Sequence, residues 1–433
     1  MRTSPLLDRY KSIVGASQIE QIYEVARSLA GLRVLHVNTT AQGGGVAEIL
    51  HELLPLMEEL GIKHDWEVIQ LDEASGYFTA RLVDLLQGYD KGEFPEREKQ
   101  VFLEKLRHSV RNGPVEQADI YFIHDFQLAP LAEFCPWMRP AIWFCHVDTA
   151  HPTPSAQQYI RQFLGPYALA CFNSRASVFK DLPPEQIQVV TLGIDPFRAK
   201  NRFLPRARGL EILASCGIDP ARPLITQVSR FGIWKNPWQV IDIYRLVKQQ
   251  LPSVQLAMVG AMEAKDDIKA IEILTDLQHN FVHGDPDIHL LSDPTIIDHE
   301  AVNAFQRYSS VILQRSIREG FGFTATEAMW KHQPVIGTCV TGLQMQIKHG
   351  SNGYLVDDTE AATAYTLKIL QDRELWRELG VNAYETVRQR FLFPTMILDY
   401  LKALERAQAG PSARVSPERV PITISATGKE LVA

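Results

Sequence analysis

Short apolar runs that end in a polar or glycine-rich turn and lead into a longer amphipathic stretch recur along most of this chain, and that alternation restricts its fold more than any other feature. The first example is complete in itself. "LRVLHVN" reads as a strand ending at Asn38, "TTAQGGG" as a turn, and "VAEILHELLPLMEELG" as a helix with apolar residues three and four apart. A helical pattern in "QIEQIYEVARSLAG" precedes it, and "HDWEVIQ", "ADIYFIH", "AIWFCHV", "YALACFN" and "IQVVTLG" follow as strand candidates. Runs this apolar suit a mostly parallel sheet covered on both faces.

The alternation then begins again. "PLITQVSRFG", "VQLAMVG", "FVHG", "SSVILQRS" and "PVIGTCV" read as strands, with helices starting near Pro237 and Thr324. The expected fold class is α/β, two doubly wound parallel-sheet domains facing a cleft. A chain of 433 residues, 45% of them hydrophobic, has material for two such cores. The expected divisions are 1–215, 216–394, a helix at 395–410 crossing back to the first domain, and a tail at 411–433. The join falls in "RFLPRARGLEILASCGIDPARP", where proline, glycine and charge interrupt the pattern, and "PSARVSPERVP" reads as loose chain before a short ordered "ITIS".

A net charge of −7 and a pI near 6.0 give no global attraction to a nucleic-acid backbone, although a small anion pocket remains compatible with them. No apolar run reaches membrane-spanning length, and the first residues lack a secretory segment. Cys135, Cys145, Cys171, Cys216 and Cys339 form no close pair or metal-ligand spacing, so a cytoplasmic protein with reduced, mostly core thiols is expected.

Chemistry concentrates where the second set of strands ends. In "QVSRFGIWKNP" Arg230 and Lys235 follow a strand, Asn236 stands at the cap of a helix and Pro237 in its first turn, an arrangement suited to a diphosphate. A surface or interdomain ion pair is the alternative. In "SIREGFGFTATEAMW" Glu319 follows a strand and precedes Gly320, Phe321 and Gly322, whose backbone can approach a ligand closely. Its carboxylate can hold sugar hydroxyls and stabilise positive charge developing at an anomeric carbon. Glu327 has two readings. "TATE" has capping-box spacing, with Thr324 as cap and Glu327 three residues on, and a ribose contact is the other.

The first half supplies compatible groups. Gly43, Gly44 and Gly45 immediately precede a helix, His124, Asp125 and Gln127 follow one strand, and His146 and Asp148 follow another. Directional hydrogen bonds from such groups select a sugar, because an unpaired buried hydroxyl penalises the wrong one. The plainer readings are histidines satisfied at the core edge and aspartates holding loop amides. His124, His146 and His151 with the nearby aspartates invite a metal, but the spacing matches neither a zinc nor a calcium motif, so no metal ligands are assigned.

Together "QGGG", "SRFGIWKN" and "EGFGFTATE", in that order, resemble the retaining GT-B glycosyltransferases of the glycogen-synthase-like group. "VNTTAQGGGVAEIL", "FCHVDTAHP", "FNS", "HGDPD" and "AFQRYSSVILQRSIREGFGFTATEAMWKHQPVIG" are more specifically similar to the trehalose glycosyltransferring synthases. The resemblance implies an acceptor-side first domain, a nucleotide-sugar-binding second domain, and formation of α,α-trehalose and a nucleoside diphosphate from a nucleoside-diphosphate glucose and free glucose. It implies Arg230 and Lys235 on the diphosphate, Glu319 on the transferred glucose, Glu327 on the ribose, and His146 on the donor-sugar or acceptor side. It further implies no required cofactor beyond the nucleotide-sugar co-substrate, with Mg2+ allowed alongside the nucleotide, and a homodimer. A retaining disaccharide phosphorylase, a transferase with another acceptor and a noncatalytic sugar-binding protein stay open as alternatives. The sequence departs from the wider group in the bulky "IW" before Lys235 and the single glycine of "TCVTGLQMQI".

Overall fold

Every strand of the first half lies parallel to its neighbours. The computed structural model describes residues 4–42, 45–89, 92–111, 117–260, 268–282 and 284–410. Strands β1 (Arg33–Asn38), β2 (Lys63–Val68), β3 (Ile120–His124), β4 (Ala141–Cys145), β5 (Leu169–Phe172) and β6 (Ile187–Val189) form one sheet in the order β2-β1-β3-β4-β5-β6. Strands β7 (Leu224–Val228), β8 (Gln255–Val259), β9 (Ile288–Leu291), β10 (Val311–Gln314), β11 (Val335–Gly337) and β12 (Gly353–Leu355) form a second, ordered β12-β11-β10-β7-β8-β9. Chain order reverses between β1 and β3 and between β7 and β10, and ligands of doubly wound sheets bind beyond the carboxyl ends at such points.

Alternate residues of the first sheet enter different cores. Val34, Ile120, Phe122, Ile142 and Phe144 face the helices Ala16–Ser28, Gly45–Glu59 and Phe393–Ala409, while Leu35, Val37, Tyr121, Ile123 and Trp143 pack on the other side. The Tyr400 ring of the last helix stacks on Phe122 at 5.0 Å, so this helix packs on the first unit. The join lies further upstream than 215/216. Leu204, Ile212, Leu213 and Ile218 share a core with Leu224, Val228, Ala257 and Phe305, which puts the helix Arg206–Ser215 in the second unit.

Two local expectations about the second unit fail. "FVHG" is not a strand: Phe281 closes the π-helical segment Leu277–Phe281, whose Leu277 is buried, and the strand follows at Ile288. Two apolar residues are too few to separate a strand from the end of a helix. His283 and the tail containing "ITIS" lie outside the described residues. The capping box does not form either. Gly322, at φ 92°, caps a helix that begins at Phe323, which leaves Thr324 inside the first turn with its hydroxyl on Gln314 Oε1 at 3.2 Å. Asn236 stands at its expected cap position, but in the left-handed region (φ 46°, ψ 57°), and its amide goes to Gln239 Oε1 instead of the helix backbone.

The chain crosses between the units twice, and the crossings are bonded to each other. Ile194 N donates to Phe391 O at 2.9 Å and Phe393 N to Ile194 O at 3.2 Å. A Cβ at Gly193 would lie 2.6 Å from the Leu392 carbonyl oxygen, so only glycine permits this seam. Gly193→Ala is expected to lower unfolding stability by about 1–3 kcal/mol in denaturant titration. Gly165→Ala, where the added carbon meets nothing within 4 Å, should stay within about 0.5 kcal/mol of the parent.

Candidate active site

The carboxyl ends of the two sheets meet at a glycine. A Cβ at Gly320 would lie 2.8 Å from His146 O and 3.3 Å from Asp148 N, so the "EGFG" loop sits directly on the turn after β4. Further contacts join the same edges. Arg318 Nε donates to Gln87 O at 2.9 Å, and the Trp234 ring meets Tyr89 edge to face at 4.8 Å. The bulky residue before Lys235 is thus an interdomain contact.

On the second unit, Lys235 and Glu319 come together across the β7/β10 switch point. Lys235 Nζ lies 2.5 Å from Glu319 Oε2, and Ser316 Oγ donates to the same oxygen at 3.1 Å. Gln227 Nε2 holds the Lys235 carbonyl at 2.8 Å. Arg230 lies exposed just past β7. Glu327 stands apart and buried, at 4% exposure, accepting from Gln306 Nε2 at 2.8 Å with Lys200 Nζ at 3.7 Å. Lys200 also reaches Glu48 at 3.5 Å on the helix that Gly45 opens, so it ties Glu327 to the first unit. Its neighbour Lys331, wholly buried among Asn201, Gln306 and the Glu327 carbonyl, is pulled down to about 7 by desolvation.

On the first unit the sequence residues divide by role. Asp125, at φ 69°, accepts from the amides of Phe126 and His146, and burial raises its carboxyl to about 6. It holds the turn. Asp148, 2% exposed, accepts from Ala150 N at 3.0 Å, and burial raises its carboxyl while the nearby Thr341 side chain of the second unit acts against that rise. His124 is not available to a sugar. Its Nε2 lies 3.0 Å from His36 Nδ1 and its Nδ1 3.1 Å from His146 Nε2, so both ring nitrogens are taken. His36 Nε2 in turn meets His64 Nδ1 at 3.0 Å, completing a four-imidazole chain. Gly45 faces the Phe323 ring of the second unit, whereas Gly43 and Gly44 lie outside the described residues.

Several buried polar atoms at these strand ends have no partner: His146 Nδ1, Gln127 Oε1, Asn173 Oδ1 and Gln227 Oε1. Such orphans are rare in a folded chain and suit a site completed by a polyhydroxyl ligand. Asn173, whose amide donates to His146 O at 3.1 Å, and Gln227 were missed as site residues in the sequence, although the Asn173 of "FNS" directly follows β5. Among the described residues no group of three or more His, Cys, Asp or Glu could hold a metal ion, and no helix is long and apolar enough to cross a membrane.

Two parallel six-stranded sheets whose carboxyl ends face each other across a polar cleft have the architecture of the GT-B glycosyltransferases. A solved α,α-trehalose-phosphate synthase (UDP-forming) from Burkholderia vietnamiensis has the same fold, with a TM-score of 0.69 at 14% identity over 88% of this chain and 98% of that one. The family model for the N-terminal domain of trehalose synthase matches residues 36–179, and that for glycosyl transferases group 1 matches 211–386. The trehalose synthase of Thermococcus litoralis is 39% identical over 398 residues, 92% of this chain and 96% of its own. The chain belongs to the trehalose synthase family. It is also similar to a trehalose phosphorylase of Pleurotus pulmonarius, 26% identical over 86% of this chain and 57% of the longer relative.

The imidazole chain makes the fold acid-sensitive. Burial lowers His64 to about 4 and His146 to about 3, and holds His36 and His124 well below the ordinary histidine value. The unfolded chain therefore binds more protons below about pH 6.5, so this contribution is intact above that pH and is lost on acidification toward the folded values. Asp125, raised instead, acts in the opposite sense between its ordinary value and about 6. In His36→Phe the drop in unfolding free energy from pH 7 to pH 5 should be smaller than in the parent, as denaturant titration at both values would measure. An equal drop would contradict the burial of a neutral imidazole there.

Proposed function

We propose that this protein transfers the glucosyl group of a nucleoside-diphosphate glucose to free glucose with retention, giving α,α-trehalose and the nucleoside diphosphate, in a reversible reaction. The observation that carries the reading is the Lys235–Glu319 ion pair at 2.5 Å, placed against the first unit's His146–Asp148 turn. The UDP-forming name of the structural relative and the family of the chain support a nucleotide-sugar donor.

When the donor binds, its diphosphate draws Lys235 away from Glu319, with Arg230 and the first turn of the helix Pro237–Gln250 adding positive potential. Glu319 is then free to face the glucosyl ring, where its charge opposes the positive charge developing at the anomeric carbon. His146 and the turn it belongs to hold sugar hydroxyls from the first unit, and Glu327 holds the ribose. As the bond from the anomeric carbon to the phosphate oxygen breaks, the anomeric hydroxyl of the acceptor attacks from the same face. Its proton passes to the leaving phosphate. The step calls for no carboxylate nucleophile and no resident metal, and Mg2+ need only accompany the nucleotide.

Purified protein incubated with glucose and separately with UDP-, ADP- and GDP-glucose should yield α,α-trehalose and equimolar nucleoside diphosphate from at least one pool, identified by mass spectrometry and linkage-resolving NMR. The likeness to a trehalose phosphorylase supplies the second reading. Trehalose formed from glucose 1-phosphate with release of orthophosphate, and from none of the three nucleotide sugars, would replace the first reading by the second.

Lys235→Ala should reduce kcat/KM for the nucleotide sugar by about 10²-fold, and Glu319→Gln should lower kcat by a similar order. Because the pair is only partly buried, both variants should keep unfolding stability within about 1 kcal/mol. Steady-state kinetics on variants whose folding is checked by denaturant titration decides this. Unchanged turnover in either folded protein would remove that residue from the mechanism.

A further inference from the structure

Four histidines drawn from distant parts of the chain form one continuous hydrogen-bonded file, His64–His36–His124–His146, with ring nitrogens 3.0, 3.0 and 3.1 Å apart. Strand register explains the file. His64 lies opposite Val34, His36 opposite Phe122, and His124 opposite Phe144, so each histidine sits two residues further along its strand than the one before. Because side chains repeat every two residues, all four project from one face and climb diagonally from the start of β2 to just beyond β4. The two middle rings are 1% exposed. The end atoms, His64 Nε2 and His146 Nδ1, are both buried without a hydrogen-bond partner.

Counting protons shows what such a file enforces. Four neutral imidazoles carry four protons, while three internal bonds and two free ends offer five places. Each internal bond holds one proton, so one end carries a proton and the other a lone pair. If His146 Nδ1 is a donor, His64 Nε2 is an acceptor, and the reverse. Exchange between the two states takes a proton in at one end, shifts the three bonded protons by one nitrogen each, and releases one at the other end. The charge of the whole file is unchanged by the exchange. Burial disfavours the charged form, so the neutral states dominate near neutrality.

We propose that this file is a polarity relay in which the protonation of His64 Nε2, at the far side of the first sheet, dictates whether His146 Nδ1 donates to or accepts from a sugar hydroxyl in the cleft. The inference rests on the reading that His146 faces sugar. His36, His64 and His124 act through His146 and are positioning residues. His64 is the informative one, because among the described residues its only side-chain hydrogen bond is to His36, so changing it removes no group placed in the cleft.

Two substitutions at His64 have opposite consequences. In His64→Phe the neighbouring His36 Nε2 faces an apolar ring, and a buried lone pair is tolerated better there than a buried N–H, so His146 Nδ1 becomes the protonated atom. In His64→Glu a carboxylate accepts from His36 Nε2, every proton in the file shifts the other way, and His146 Nδ1 becomes an acceptor. Nitrogen NMR of the full chain with 15N-labelled histidine, without ligand, reads the tautomer of His146 directly, with His146→Gln used to assign its signals. The relay predicts opposite His146 tautomers in the two variants, one of them matching the parent. The same His146 tautomer in both folded variants overturns it.

Kinetics on the same proteins separates the relay from the function assigned to His146. The variant with the non-parental tautomer should show a KM for its sugar substrate raised about tenfold, the size of one lost hydrogen bond. Its dissociation constant for the free nucleoside diphosphate should stay unchanged. Opposite tautomers with equal KM values uphold the relay and overturn the assignment of His146 to sugar.

Discussion

The approach of Gly320 to the His146 carbonyl sets the geometry on which the rest of the site depends. An added Cβ would stand 2.8 Å from that oxygen, so the backbones of the two units can meet only where a side chain is missing. From this contact the loop continues backward to Glu319 and forward through Gly322, whose positive φ starts the helix carrying Glu327. On the opposite side, the same His146 carbonyl is held by the Asn173 amide and the His146 amide by Asp125. The His146 backbone thus links the loop that carries Glu319 to the end of the histidine file.

Charge in the cleft is paired. Lys235 and Glu319 neutralise each other, which keeps two ionised side chains stable in a narrow space, and in the proposed reaction a diphosphate competes for the lysine. Glu327 is handled differently. Lys200 and Gln306 hold it in place, and Lys200 also reaches Glu48 of the first unit, so this carboxylate is tied to both units.

What could be read in the sequence was what local pattern determines. Strands β1, β3, β4, β7 and β10 stand out because parallel strands buried on both faces are nearly unbroken apolar runs, and Lys235, Glu319 and His146 stand out because they follow such runs. β12, only three residues long, carries too little pattern. Thr324 misled because a left-handed glycine just before it starts the helix earlier, a backbone preference that spacing alone does not reveal. His124 reads as a sugar ligand by position and is instead the third member of a file whose bonded neighbours lie 88 and 22 residues away in sequence. Only the register of four strands shows that.

Donor and acceptor are proposed to meet between the two sheet ends, and a crystal structure with glucose and a nonreactive nucleoside-diphosphate glucose analogue would show whether they do. The expected complex has the diphosphate on Arg230 and Lys235, the Lys235–Glu319 contact opened, and the glucosyl ring between Glu319 and His146. A diphosphate bound elsewhere, with the Lys235–Glu319 pair still closed, would contradict it.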